Sequence, residues 1–266
     1  MHFKRLALAL VFALSVLVTG VSGWLARSYG PPVYPYEGTD QVWDRLLQAH
    51  VTLAGVDYGG WTAREREALN DYLGSRRTVT AETYEAWGKD ERLAFLINAH
   101  NALVVAAVLD DLKAPTMMDI GPFPKAVYYR PMLAIPAFGV LPAAIRTLGS
   151  GALIAEFRDP RVYFALANGA RGGPTLAPRA WTAPDMGGQL DDAAAAFLAD
   201  PVRNSEIDGK LHLSRVFFWH VGEFDHIGGV LPFVARYGPS ALVAAAQRDL
   251  SAFPSYLPFD WTVNAI

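Results

Sequence analysis

No cysteine occurs among the 266 residues. That absence removes disulfides, thiolate nucleophiles and cysteine metal knuckles from the chemistry and the stability of the chain. There is also no basic run after Arg5, and 23 Lys and Arg against 26 Asp and Glu leave a net charge of -3. Without a positive patch to follow a phosphate backbone, nucleic acid is excluded as a partner. No Gly-x-Ser-x-Gly is present, so no serine nucleophile elbow is expected. Internal repeats and low-complexity tracts are missing as well.

What remains is a folded chain, with 52% apolar and 18% charged residues. Residues 1–30 stand apart. The basic start "MHFKR" precedes the apolar run "LALALVFALSVLV" from Leu6 to Val18, and "TGVSG" follows. This reads as a secretory signal with Val21 and Gly23 at the small-residue positions of a cleavage site. An uncleaved anchor from Leu6 to about Ala26 is the rival reading, with Lys4 and Arg5 left in the cytoplasm. Both export the rest. Residues 31–38, opening "PPVYPY", read as an extended linker. Residues 39–266 then form one domain of a size that a single core can serve.

Helical spacing predicts a first helix over 40–50 capped by Asp40, a second from the capping box Thr62/Glu65 to Gly74, and a third from Thr80. Residues 89–112 are apolar nearly all round and predict the central helix of the core. The run "AVYYRPMLAI" from Ala126 predicts a strand or hairpin, "VLPAAIRTLG" a short helix, "RVYFALA" a buried strand and "LDDAAAAFLAD" an amphipathic helix. Asp208-Gly209 marks a hairpin within "EIDGKLHLS". Helices over 214–221 and 239–250 and a closing strand "YLPFDWTV" complete the chain. The fold class is α+β, mostly helical, with a small mixed or antiparallel sheet.

The stretch "VYFALANGARGGPTL", 162–176, places a glycine-rich loop where phosphate loops sit. It lacks the terminal Lys and Ser/Thr of a Walker sequence, and Pro174 and Pro178 prevent a helix from opening behind it. The loop therefore reads as a packing corner.

Several blocks resemble the family catalogued as domain of unknown function 547. "DPRVYFALANGARGGPTL" is similar without a gap to its signature D-P-R-x-H-F-A-L-N-C-A-S-x-G-C-P-x-L, and "ERLAFLINAHNALVV" to its L-A-F-W-I-N-A-Y-N-A-L helix. "VDYGG", "MMDIG", "LHLSRVFFWHVGEF" and "YLPFDWTVN" have counterparts in the same order. Departures fall on reactive positions. Asn168 and Gly173 stand where the pattern has cysteines, Tyr163 where it has histidine, and Arg146-Thr147 where it has glutamate and histidine. The resemblance thus implies a member without the pattern's thiol chemistry.

Two functional readings follow. The first is a non-catalytic binding or scaffolding module of the cell envelope, taking a small molecule or an envelope protein through Asn98, Asn101, Tyr163, Asn168 and Arg171. Asn98, His100 and Asn101 lie in the apolar helix and must find hydrogen bonds, with the loop around Asn168 as one candidate partner. Arg171 reads as solvated or bonded to a carbonyl. The second reading is a thiol-independent envelope hydrolase or transferase using His100, Asp159, His220 or Glu223. His220, Glu223, Asp225 and His226 match no standard metal spacing, so no metal and no cofactor are expected. The tryptophans read as core and core-rim residues, and membrane contact is expected only through the N-terminal segment.

Overall fold

The Thr62 hydroxyl accepts a hydrogen bond from the backbone N–H of Glu65 at 3.2 Å, and the Glu65 carboxylate accepts one from the Thr62 N–H at 2.8 Å. This reciprocal cap starts α2, Ala63–Arg76. In a computed structural model of the chain, residues 37–130, 157–248 and 254–266 are described, together with Leu133, Ile135, Ala137, Ala144 and Ile145. The export segment, most of the linker, and the "LPAAIRT" block apart from Ala144 and Ile145 lie outside these residues.

Helix α1, Gln41–His50, follows Asp40, whose side chain makes no cap bond. Its carboxylate instead meets buried Arg76 at 3.0 Å, the Tyr72 hydroxyl at 2.6 Å and the Asn98 amide at 3.0 Å. A buried guanidinium requires a counter-charge, and that need outweighs a local cap. The small hairpin of β1, Val51–Thr52, and β2, Gly55–Val56, comes next. After α2, the Thr80 hydroxyl caps α3, Ala81–Ala86.

Helix α4, Lys89–Leu109, is long and apolar enough to cross a bilayer, yet it is buried within the domain from Leu93 onward. Its three buried polar residues, Asn98, His100 and Asn101, each bond to backbone of another segment. The Asn101 amide donates to the Ala165 carbonyl and accepts from the Ala167 N–H, both at 3.0 Å. The Asn98 amide grips Trp181 in the same way, at 2.8 and 2.9 Å.

Two expected strands are helical turns. Residues 126–129 form α5, Ala126–Tyr129, and "RVYFALA" opens with α6, Val162–Ala165, before extending from Leu166. An unbroken apolar run carries no period to separate the two forms. For α6 the decision falls to its start, where Asp159 accepts from the Arg161 N–H and its carbonyl from the Val162 N–H. Arg161 then ties the Asp159 carboxylate to Asp191 of α7, Met186–Ala199, at 2.7 Å.

Beyond α7, Asp208 and Gly209, at φ 51° and 79°, form the expected turn between β3, Ser205–Ile207, and β4, Lys210–Leu213. Helix α8, Arg215–Trp219, runs into a 3-10 segment, Val221–Ile227. Helix α9, Val230–Tyr237, was not among the expected elements; α10, Ser240–Arg248, follows it. The chain is one α+β domain, helix-rich, with an antiparallel β1-β2 pair and a mixed β3-β4-β5 sheet whose β5 is Ser255–Tyr256.

The C-terminal tail closes the domain as expected. Leu257 donates to Leu213, Met117 to Trp261, Arg171 to Thr262 and Val56 to Asn264, so the tail beyond β5 joins four separate segments through single bonds and isolated bridges. Phe259 and Trp261 are partly buried against the core. Gly172 is needed for this closure, since a Cβ there would stand 2.7 Å from the Asp260 nitrogen. Asn101→Ala strands the Ala165 carbonyl and the Ala167 N–H in the core and is expected to cost about 2–4 kcal/mol in urea denaturation. An unchanged midpoint would show the clamp to be dispensable.

Candidate functional site

The extended segment held by Asn101 carries the site. Tyr163 leaves α6 toward α8 and Asn168 ends the segment, while α4 supplies His100 and the turn after α8 supplies His220. These four side chains line one cleft of about 250 Å³. Sequence reasoning had singled out each of them. It had not foreseen Lys125, Tyr128, Trp219 and Trp261, which complete the wall. No sequence signal joins those residues, because three different segments bring them together around the tail.

The histidines are neutral at physiological pH. Burial pulls His100 from the ordinary 6.5 down to about 4, against the opposing pull of the Ala167 and Ile145 backbone. His100 Nε2 lies 2.8 Å from the Ala167 carbonyl. Burial likewise takes His220 to about 4. Its imidazole stacks on the Tyr163 ring with centroids 3.9 Å apart. The Tyr163 phenol is raised above its usual range, mostly by burial and then by the charge and hydrogen bond of Glu223. Burial raises Tyr128 too, and its hydroxyl donates to the Asn168 carbonyl at 2.8 Å.

Tyr163 is also a partition. On its other side lies a second cavity, of about 330 Å³, bordered by Asp159, Glu223, Asp225 and His226. Asp159 is held there by both nitrogens of the Arg161 fork, at 3.0 and 2.6 Å, so it positions α6. Glu223 is exposed and reaches the cleft only through the Tyr163 hydroxyl. The four catalytic candidates therefore divide, with His100 and His220 in the cleft and Asp159 and Glu223 outside it. Among the described residues, no group of three or more His, Asp or Glu is arranged to hold a metal ion.

The binding candidates divide as well. Tyr163 and Asn168 line the cleft, whereas Asn98 and Asn101 are structural clamps. Arg171 donates to the Ala265 carbonyl at 3.2 Å, one of the two fates expected for it. Four of the loop's N–H groups are engaged within the protein. The N–H groups of Arg171 and Gly172 go to the tail, that of Gly173 to Ala170, and that of Ala170 to Asn168 Oδ1. Trp43, Trp61 and Trp181 are buried and Trp87 and Trp261 partly so, but Trp219 is 42% exposed, which corrects its assignment to the core rim. It packs on Phe259 and Trp261 with centroids at 4.8 and 5.8 Å, an aromatic cluster at the cleft mouth.

Positions 168 and 173 are direct neighbours, because a Cβ on Gly173 would collide with the Asn168 amide. The two residues thus fit as a pair, a larger group at one and none at the other. Gly173→Ala is expected to cost about 1–3 kcal/mol through overpacking, and Asn168→Ala about 1 kcal/mol through the lost bond to Ala170. The double variant should cost clearly less than their sum, since alanine at 168 makes room for the new methyl. Additive losses in denaturation would contradict the steric pairing. No family model, no curated protein and no solved structure matches this chain.

Proposed function

We propose that this chain is an exported, non-catalytic binding module of the cell envelope, and that its ligand occupies the cleft beneath Trp219 and Trp261. Export rests on the basic start and apolar run of residues 1–30. Kinship with the family catalogued as domain of unknown function 547 rests on the motifs quoted above, and it implies no chemistry by itself.

One observation carries the non-catalytic reading: the described residues of the cleft wall include no Ser, Thr, Cys, Asp or Glu. Nucleophilic catalysis by a hydroxyl, thiol or carboxylate needs such a group beside a base. The bases present include imidazoles near pKa 4, which are weak proton acceptors at neutral pH, and the phenols of Tyr128 and Tyr163, whose protons are held more firmly than usual. The envelope hydrolase or transferase reading would need Asp159 or Glu223 to act on a ligand from beyond Tyr163.

A turnover assay over envelope peptides, esters and glycans tests the choice. The expected result is no turnover by the wild-type protein. Measurable turnover that falls a hundredfold in Tyr163→Phe or Asn168→Ala, with the fold intact by circular dichroism, would replace this reading by the enzymatic one.

A further inference from the structure

We infer that the ligand is an amphiphilic anion, an apolar body of roughly eight non-hydrogen atoms bearing one oxyanion head, and that Lys125 is the anchor for that head. The inference rests on the binding reading and narrows its ligand class.

The body follows from what the wall presents. Its polar groups are largely engaged within the protein: His100 Nε2 with the Ala167 carbonyl, the Tyr128 hydroxyl with the Asn168 carbonyl, and Asn168 Oδ1 with the Ala170 N–H. The Tyr163 hydroxyl is engaged by Glu223. Among the described residues this leaves the Asn168 amide nitrogen, His100 Nδ1 and the His220 imidazole as the neutral side-chain groups without a hydrogen bond in the cleft. A sugar ring or other polyol entering there would leave most of its hydroxyls unpaired, at a cost near 1–3 kcal/mol for each. The ring faces of Trp219 and Trp261 and the side chains of Leu166 and Val216 suit an aliphatic or aromatic body instead. The volume of about 250 Å³, roughly eight molecules of water at ~30 Å³ each, suits an apolar body of that order.

The head follows from Lys125. It is the one charged side chain in the described wall. Arg76, Arg130, Arg161 and Arg203 each meet an aspartate, whereas Lys125 faces the Trp261 ring, its Nζ 5.2 Å from the centroid, with no carboxylate within ion-pair distance among the described residues. Its backbone stands at φ 66°, in the left-handed region that residues other than glycine seldom adopt. The cation is exposed at the mouth while the apolar wall lies beneath it. A carboxylate or phosphate monoester would complete the charge pair and leave its hydrocarbon over the rings.

Titrating the intrinsic tryptophan fluorescence with octanoate, octan-1-ol and octyl phosphate separates the terms. Octanoate or octyl phosphate should bind at least tenfold more tightly than octan-1-ol, and the comparison of the two anions identifies the head. Lys125→Gln should abolish that preference, Lys125→Arg should retain it, and Trp219→Ala should weaken all three probes. Equal binding of anion and alcohol, or a preference that survives Lys125→Gln, would overturn the anchor while leaving the cleft a binding site. No binding of any probe by the folded protein would overturn the ligand class, while turnover in the assay above would separately overturn the non-catalytic reading.

Discussion

Asn101 is the residue on which the rest of this fold turns. One amide in the middle of an apolar helix offers a donor and an acceptor to the carbonyl of Ala165 and the N–H of Ala167, as a neighbouring strand would. A helix cannot otherwise pair with an extended segment, because its own backbone groups are engaged internally. The side-chain amide replaces the missing ladder, and inside the core each of its bonds is far more costly to lose than on the surface. Asn98 and Gln189 repeat the device from two sides around Ala180 and Thr182, with Asn98 on Trp181 and Gln189 on the Ala180 carbonyl and Thr182 N–H.

From this clamp the position of the cleft follows. Tyr163 belongs to one apolar cluster and Phe164 to another, so α6 marks the seam between the α1–α4 side and the α7–α10 side of the domain. Phe164 sinks among Phe197, Phe217 and Phe233, with ring centroids between 4.9 and 5.3 Å. That burial turns Tyr163 the other way, onto His220 and the cleft. The C-terminal tail then brings Trp261 to the same place, while its hydrogen bonds to Arg171 and Gly172 convert the glycine-rich loop into a docking edge. Gly172 serves a close backbone approach, and the N–H groups from Ala170 to Gly173 are engaged within the protein and so not free to cradle a phosphate.

Features set by neighbours in the chain were legible in the sequence. The Thr62/Glu65 box, the Thr80 cap, the Asp208-Gly209 turn and the apolar surround of α4 each depend on residues a few positions apart. The turns at Ala126 and Val162 were not, because an apolar run states burial without stating period, and hydrogen bonds at its start decide the form. In the site, Tyr163, Asn168, His100 and His220 were legible as polar groups among apolar neighbours or at departures from a motif. Lys125 and Trp219 were not, since their meaning lies in a juxtaposition made by the tail. Asp159 was misread for a related reason: its partner Asp191 on Arg161 comes from α7, and only that triad reveals a structural carboxylate.

The central claim is that the two imidazoles of the cleft are kept neutral by burial, so that neither is poised to move a proton near pH 7. Nitrogen-detected NMR of the histidine side chains, titrated from pH 8 to the acid limit of the fold, tests it most directly. His100 and His220 should remain neutral through pH 5.5, with midpoints near 4 where the fold permits them to be reached. A midpoint for either imidazole at or above its ordinary 6.5 would place a usable acid–base group in the cleft and contradict the claim.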